Sequence, residues 1–282
     1  MVVATATRRR ADGGPSARSL LISILGQWVG PTDTPVWTAA LVGALESLGI
    51  ESRAARQAVN RTATDGWLEG ESVGRYSRWS LTASGRRMIG SAVPRVQRSI
   101  VEDKPWDGTF LLLTLTGPTL DRTTRHRLAV GLDFEGFGML GAGTWVAVGE
   151  GSREGAEIIL DSFGLESRAL LFRATAVEGA ETPAEVVALA WDLDTAAAAH
   201  KAFLEEFEFA EPATEREAFA LRTRMAHEWR HILIVDPSLP PELLPSDWAG
   251  TRARKVFQRR FSDWADAASS YYIRLSEDPF TS

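Results

Sequence analysis

Between Glu51 and Leu81 the chain sets a helix and a basic hairpin back to back. From Ser52 to Asp65 the polar residues Arg53, Arg56, Gln57, Asn60 and Thr64 recur three or four apart, so they share one helix face. The opposite face carries Ala55, Ala58, Val59, Thr62 and Ala63, small enough for a neighbouring helix to come close. Gly66 stops the helix, glycine being the usual residue just past a C-terminus. Trp67-Leu68-Glu69, a turn over Gly70–Gly74 and the period-two run Arg75–Leu81 then predict two paired strands.

A face of arginines with two amides is what reading a DNA groove requires. Arginine pairs with guanine O6 and N7, and Asn or Gln with adenine N6 and N7. The DNA-contacting set is accordingly Ser52, Arg53, Arg56, Gln57, Asn60 and Arg61 on the helix, with Arg75, Tyr76 and Arg78 on the hairpin beside the phosphates. The bland alternative is a solvated helix face and an ordinary exposed hairpin.

Charge decides between them in part. The net charge of −6 looks wrong for a DNA-binding protein, but it is unevenly spread. Residues 1–104 hold 14 Lys and Arg against 9 Asp and Glu, a net +5, and the remainder hold 17 against 28, a net −11. A basic front and an acidic rear fit a DNA-contacting module joined to a regulatory one. The absence of cysteine excludes disulfides, Cys-zinc sites and thiol catalysis. Apolar runs such as Leu20–Leu25 are too short to span a bilayer, and Arg8-Arg9-Arg10 has no apolar core behind it. A cytoplasmic protein without membrane contact or cofactor is expected.

Residues 1–16 lack periodicity and read as a disordered basic arm. Ser16 can cap a first helix striped by Leu20, Leu21, Ile24, Leu25 and Trp28, and a second runs from about Val36 to Leu48. Three helices followed by a hairpin make a winged helix-turn-helix domain, bounded here at 17–104. Ile89, Val93, Val96 and Ile100 on a following helix would pack beneath the domain or on a dimer mate. Residues 105–180 alternate as β-α-β-β-α-β, the order of the ferredoxin-like fold, with strands at Thr109–Thr116, Phe137–Leu140, Thr144–Val148 and Arg168–Ala176. Residues 181–282 are mainly helical, with helices after Trp191-Asp192-Leu193-Asp194, from Thr214 to Leu233 and from Gly250 towards Arg274. The fold class is therefore α+β and multidomain.

One motif points elsewhere. His227-Glu228-Trp229-Arg230-His231 is a literal H-E-x-x-H, which on a helix sets two imidazoles one turn apart for zinc with Glu228 as general base. The longer metzincin pattern fails, because Ile234 stands where glycine is required and Pro237 where the third histidine is required. A zinc metallopeptidase and a non-catalytic adaptor protein remain the rival classes; with no other catalytic set, the chain reads as a non-enzyme.

The residues also carry a resemblance. Ala17-Arg18-Ser19-Leu20-Leu21, the series Arg53, Arg56, Val59, Arg61 and Asp65-Gly66-Trp67-Leu68, then Leu81-Thr82 with Gly85-Arg86, stand in one order with Trp106-Asp107-Gly108, Gly136-Phe137-Gly138 and Trp191-Asp192-Leu193. Asp236-Pro237, Leu239-Pro240, Leu243-Leu244-Pro245 and Asp247-Trp248 complete the series. Over residues 17–275 the chain resembles the PaaX-type regulators, the phenylacetic-acid degradation repressors. The resemblance implies a winged helix, a ferredoxin-like middle similar to CRISPR-adaptation endonuclease subunits, and a helical C-terminal effector and dimerisation domain. It also implies a homodimeric repressor of an aromatic-acid catabolic operon, bound to double-stranded operator DNA and released by an aryl-coenzyme A thioester, typically phenylacetyl-coenzyme A. In the middle domain Thr114-Leu115-Thr116 stands where a nuclease of that fold wants an acid, so DNA cleavage is not supported. An aryl-coenzyme A needs an apolar pocket and cations. The rear offers Trp229 and Trp248 for the first, Arg222, Arg230 and Arg252 (with Arg224 and Arg254 nearby) for the second, and His231 between them in sequence.

Overall fold

The computed structural model describes residues 14–90, 93–101, 105–141, 143–176, 182–278 and 280, so residues 1–13 of the expected basic arm lie outside it. Ser16 Oγ accepts from Ser19 N–H at 3.2 Å and caps α1 (Ala17–Ile24), which widens into a π-helical turn over Leu25–Val29. The second helix starts two residues later than its apolar stripe suggests. Val36–Trp37 form a short strand, β1, paired antiparallel with Trp79 and Arg78, and α2 is Thr38–Ser47. The Trp79 indole fixes this junction by donating to Thr38 Oγ1 at 2.9 Å.

Helix α3 (Ser52–Thr64) closes at Gly66, whose φ is +75°. Gly66 N–H donates to Ala63 C=O and Trp67 N–H to Thr62 C=O, the paired bonds of a Schellman end, and the Trp67 side chain is buried. Strands β2 (Leu68–Val73) and β3 (Tyr76–Leu81) then pair antiparallel over their whole length, with Val73 opposite Tyr76. The hairpin is thus longer than its glycines suggest: Gly70 lies inside β2 under the Trp79 ring, and only Gly74-Arg75 make the turn. A two-residue turn of this kind needs a left-handed first residue, and Gly74 supplies it with φ +60°. Helices α4 (Ala83–Gly90) and α5 (Val93–Ile100) follow. On α5 the inward residues are Arg95 and Ser99, while Val93 is exposed, so the expected apolar stripe does not face a core here.

Next come β4 (Phe110–Leu115), α6 (Arg122–Phe134), β5 (Gly138–Gly141), β6 (Thr144–Val148), α7 (Arg153–Ser162) and β7 (Ala169–Ala174). The four strands form one antiparallel sheet in the order β5-β6-β4-β7. Leu111 and Leu113 of β4 and Trp145 and Ala147 of β6 point to one face, as period two demands, and meet Leu128 and Leu132 of α6 and Ala156 and Leu160 of α7. Asp121 starts α6 by accepting from the N–H groups of Thr123 and Thr124.

The rear opens with α8 (Pro183–Ala190), a helix the apolar pattern did not announce but its start does. Thr182 and Glu185 form a reciprocal capping box with Pro183 in the first turn. Then follow α9 (Leu193–Phe207), α10 (Glu215–Val235), α11 (Ala249–Asp263) and α12 (Ala265–Leu275). The last two replace one expected helix, and the break falls at Trp264, which turns inward to 4% exposure.

The chain forms two compact units that do not follow chain order. One contains residues 99–202 and 231–252; the other contains the described residues up to 98 together with 203–230 and those from 253 onward. Helices α9, α10 and α11 each run from one unit into the other. None of the described helices is long and apolar enough to cross a membrane.

Within the first unit α8 lies tightly on β5. A Cβ added at Gly138 would stand 2.4 Å from the Ala190 carbonyl oxygen, and backbone cannot yield as a side-chain tip can. Gly138→Ala should therefore cost about 1–3 kcal/mol in urea denaturation. Gly151→Ala, whose Cβ meets nothing within 4 Å, should cost well under about 1 kcal/mol in the same experiment.

Candidate nucleic-acid interface

Helix α3 owes its two faces to the positions of its alanines. Ala55, Ala58, Val59 and Thr62 are buried, and Thr62 Oγ1 satisfies itself on the Ala58 carbonyl at 2.8 Å. The opposite side leaves Arg53, Arg56, Gln57, Asn60 and Arg61 exposed, with Ser52 half-buried at the start of the helix. Among the described residues none of these three arginines has an ion pair, and neither amide side chain has a hydrogen-bond partner. The acids that flank α3 are its capping residues, Glu51 and Asp65, and Asp65 is paired with Arg18. The helix therefore presents unspent donors and acceptors, the state in which base edges and phosphates can be met without first breaking a protein contact.

The hairpin is differently placed. Arg78 stands opposite Glu71 in the ladder and donates to its carboxylate at 2.8 Å, which lowers the Glu71 pKa and raises that of Arg78. Arg75 donates to the Tyr76 hydroxyl at 2.8 Å and lies over its ring. Tyr76 in turn packs edge-on against Trp37 and Phe280, with centroids 6.3 and 5.2 Å away. The cations of the hairpin are thus already engaged, whereas those of α3 are not.

The six residues considered for an effector do not gather at one place within either unit. Trp229 is 2% exposed, wedged between Phe203 and Phe257, and offers no face to a ligand. Its helix stripe of Ala218, Met225 and Ile232 is buried with it, as spacing predicts. Arg222 and Arg230 lie two turns apart on α10. Arg222 is held between the rings of Phe261 and Trp28, at 3.7 and 5.1 Å from their centroids, and donates through Nε to the Phe261 carbonyl. Arg230 Nη1 donates to Ser23 Oγ at 3.3 Å. Neither guanidinium has a carboxylate partner among the described residues, and burial lowers the pKa of both to about 10. Arg224, Arg260 and Arg274 instead pair with Glu206, Glu211 and Glu215. His231, Trp248 and Arg252 belong to the other unit. There Trp248 packs edge-on to His200, whose Nε2 lies 2.7 Å from Asp236 Oδ2 in a buried pair.

The H-E-x-x-H motif lies on α10. His227 is fully buried, and its Nδ1 sits 3.0 Å from Ser23 Oγ. Among the described residues no three His, Asp or Glu side chains gather as a metal site. Through His227 the motif joins α10 to α1, a contact that sequence spacing alone could not reveal. Two further bonds reinforce the junction: Trp28 Nε1 donates to Thr223 Oγ1 at 3.1 Å and Gln27 Nε2 to the Thr223 carbonyl at 3.4 Å.

Comparison with known proteins defines the class. Residues 16–85 match the family described as PaaX-like protein, residues 103–187 the PaaX protein central Cas2-like domain, and residues 191–274 the PaaX-like protein C-terminal domain. The chain belongs to the PaaX family, a family of transcription regulators. Its similarity to the transcriptional repressor PaaX of Escherichia coli (strain K12) is 30% identity over 273 residues, covering 93% of this chain and 84% of the relative. A solved structure of an uncharacterized Mycobacterium tuberculosis protein shares the fold with a TM-score of 0.61 and 22% identity, covering 93% of this chain and 99% of that one.

The junction can be tested directly. Ser23→Ala removes the shared partner of His227 and Arg230, and should destabilise the protein by about 1–3 kcal/mol in chemical denaturation. Replacing the exposed neighbour on α10, Arg224→Ala, should change stability by less than about 1 kcal/mol.

Proposed function

We propose that the chain is a DNA-binding repressor of an aromatic-acid catabolic operon, of the phenylacetate type, that an aryl-coenzyme A thioester releases from its operator. The observation that carries this reading is the exposed, unpaired face of α3 in a chain of the PaaX family. In this reading α1–α3 with the β2–β3 hairpin form a winged helix-turn-helix, and α3 enters the major groove. Arg53, Arg56 and Arg61 meet guanines or phosphates, Gln57 and Asn60 meet adenines, and Ser52 lies at the helix start. Arg75, Tyr76 and Arg78 stand beside the backbone, Arg78 exchanging Glu71 for a phosphate. The antiparallel sheet order β5-β6-β4-β7 and the intervening helices support a ferredoxin-like centre, and Thr114-Leu115-Thr116 at the end of β4 brings no acid there. Exposed Val93 and Val101 support a homodimer formed through α5 and the residues after it, with two helices occupying successive half-sites.

The effector acts by binding one conformation better than the other, which shifts the population away from DNA. Arg222 and Arg230, cations without carboxylate partners, support binding of its anionic groups; His231, Trp248 and Arg252 are the further candidates. For the peptidase alternative, no group of three His, Asp or Glu side chains that could hold a metal is present among the described residues.

Two sets of measurements test the reading. Arg56→Ala and Asn60→Ala should each cost about 1–3 kcal/mol on operator DNA and relax specificity locally, with a smaller loss on random DNA. Equal losses on both DNAs would remove base reading from α3. Arg75→Ala and Arg78→Ala, in the same titrations, should flatten the salt slope by roughly one unit each or less, because both side chains begin engaged.

For the effector, operator release is titrated with phenylacetyl-coenzyme A, free phenylacetate and coenzyme A separately. The thioester should release DNA, and the free acid should need a far higher concentration. Release by neither, or equally by the free acid, would end the assignment.

A further inference from the structure

Residues 105–176 hold six arginines and no lysine against nine Asp and Glu, yet the charges are separated along the sheet domain they form. Leu115 at the end of β4 lies beside Ala169 at the start of β7. The end of β4, the start of α6, the end of α7 and the start of β7 therefore share one end of the domain. Arg122, Arg125, Arg127 and Arg168 stand at that end with His126. Asp107, Asp133, Glu135, Glu150 and Glu154 lie towards the other.

Contacts orient these arginines without matching their charge. Arg168 donates through Nε to the Thr116 carbonyl at 2.9 Å and through Nη2 to the Pro118 carbonyl, and Gly117, with φ +83°, carries the loop past the guanidinium. Arg125 Nη2 donates to the Leu120 carbonyl at 3.4 Å, and Arg127 lies over the Phe163 ring, 5.3 Å from its centroid. Arg122, Arg125 and Arg127 are exposed. Among the described residues none of the four has an ion pair, whereas Arg153 and Arg173, the other arginines of this domain, pair with Glu157 and Glu150. The acids nearest in sequence are Asp121, Asp161 and Glu166. Asp121 accepts from the N–H groups of Thr123 and Thr124, and Asp161 and Glu166 pair with no arginine among the described residues.

An open surface of this kind selects its ligand by length. A single small anion on an exposed arginine gains little against water and salt. A chain of phosphates meets several arginines at once and releases condensed counterions at each contact, so its gains add. Arg122 and Arg125, three residues apart, are neighbours on the surface of α6, and Arg127 and Arg168 extend the charged area to the adjoining loops. Residues 105–176 contain no Asn or Gln, so this end offers no amide to an adenine edge and suits the backbone instead.

We propose that this end of the central domain is a second DNA-contacting surface, which holds the phosphate backbone of a duplex without reading its bases. The proposal goes beyond the reading of α3 and rests on it only for the choice of duplex DNA as the polyanion.

The test titrates the full chain with a random-sequence duplex and with operator DNA over a range of salt, and with adenosine 3′,5′-bisphosphate as a small anion. Arg122→Ala and Arg125→Ala together, both at exposed positions, should weaken binding to the random duplex about threefold or more and flatten its salt slope by roughly one to two units. The ratio of operator to random affinity should stay within about twofold, because backbone contacts carry no sequence information. Arg122→Lys and Arg125→Lys together should keep most of the affinity, since a phosphate needs the charge and not the fork of the guanidinium. Arg153→Ala, at a paired arginine, should leave both duplexes within about twofold. An unchanged affinity and slope in the alanine pair, an equal loss in the lysine pair, or a loss confined to the small anion would overturn the proposal. The reading of α3 fails or succeeds separately. Loss on the random duplex in a chain with no operator preference would leave this surface standing and remove base reading by α3. An operator preference that Arg56→Ala abolishes, with the Arg122 and Arg125 variants silent, would do the reverse.

Discussion

One serine hydroxyl joins the first helix, α1, to the longest helix, α10. Ser23 Oγ sits between His227 Nδ1 and Arg230 Nη1, all three removed from bulk water, with Trp28 and Gln27 one turn further along bonded to Thr223. Apolar packing alone tolerates small slides between helices. Buried polar groups do not, because each slide leaves a donor or acceptor unsatisfied. The junction therefore fixes the register of α1 on α10, and α1 in turn packs beside α3. The π-helical turn at Leu25–Val29 is part of the same junction, since the extra residue per turn sets Trp28 and Gln27 both towards α10.

Arginine has several distinct tasks in this chain, and the neighbours decide which. On α10 to α12, Arg224, Arg260 and Arg274 are each paired with a glutamate, where an ion pair contributes little energy but suppresses unwanted anion binding. Arg222 and Arg230 are instead surrounded by rings and hydroxyls. The exposed arginines of α3, Arg53, Arg56 and Arg61, have no ion pair among the described residues, and the C-capping Asp65 pairs with Arg18 instead. The whole-chain charge of −6 conceals all three situations.

The short motifs that mark the family prove to be structural corners. Asp107 and Asp192 each tie a backbone turn beside a tryptophan, and Asp236 accepts from His200 and from Ser238 N–H before the chain turns through its prolines. Gly250 lets Trp248 and His200 come together, since a Cβ there would meet both. These residues look like candidate functional groups when read singly. Their hydrogen bonds and contacts show that they also fix local turns and packing.

How much of this was legible beforehand follows from the range of the forces involved. Helix α3, its glycine stop, the Ser16 cap and the strands of the central sheet depend on neighbours within four residues or on a period of two, so the sequence by itself determined them. It also determined which α3 side chains stay exposed, because Ala55, Ala58 and Val59 leave only one side to bury. Other features were decided by contacts beyond the local chain: the burial of Trp229 between Phe203 and Phe257, and the use of His227 as a partner for Ser23, 204 residues away. Those contacts leave no periodic trace. A histidine four residues from another looks the same on paper whatever it meets, and only the tertiary structure places Ser23 Oγ 3.0 Å from His227 Nδ1.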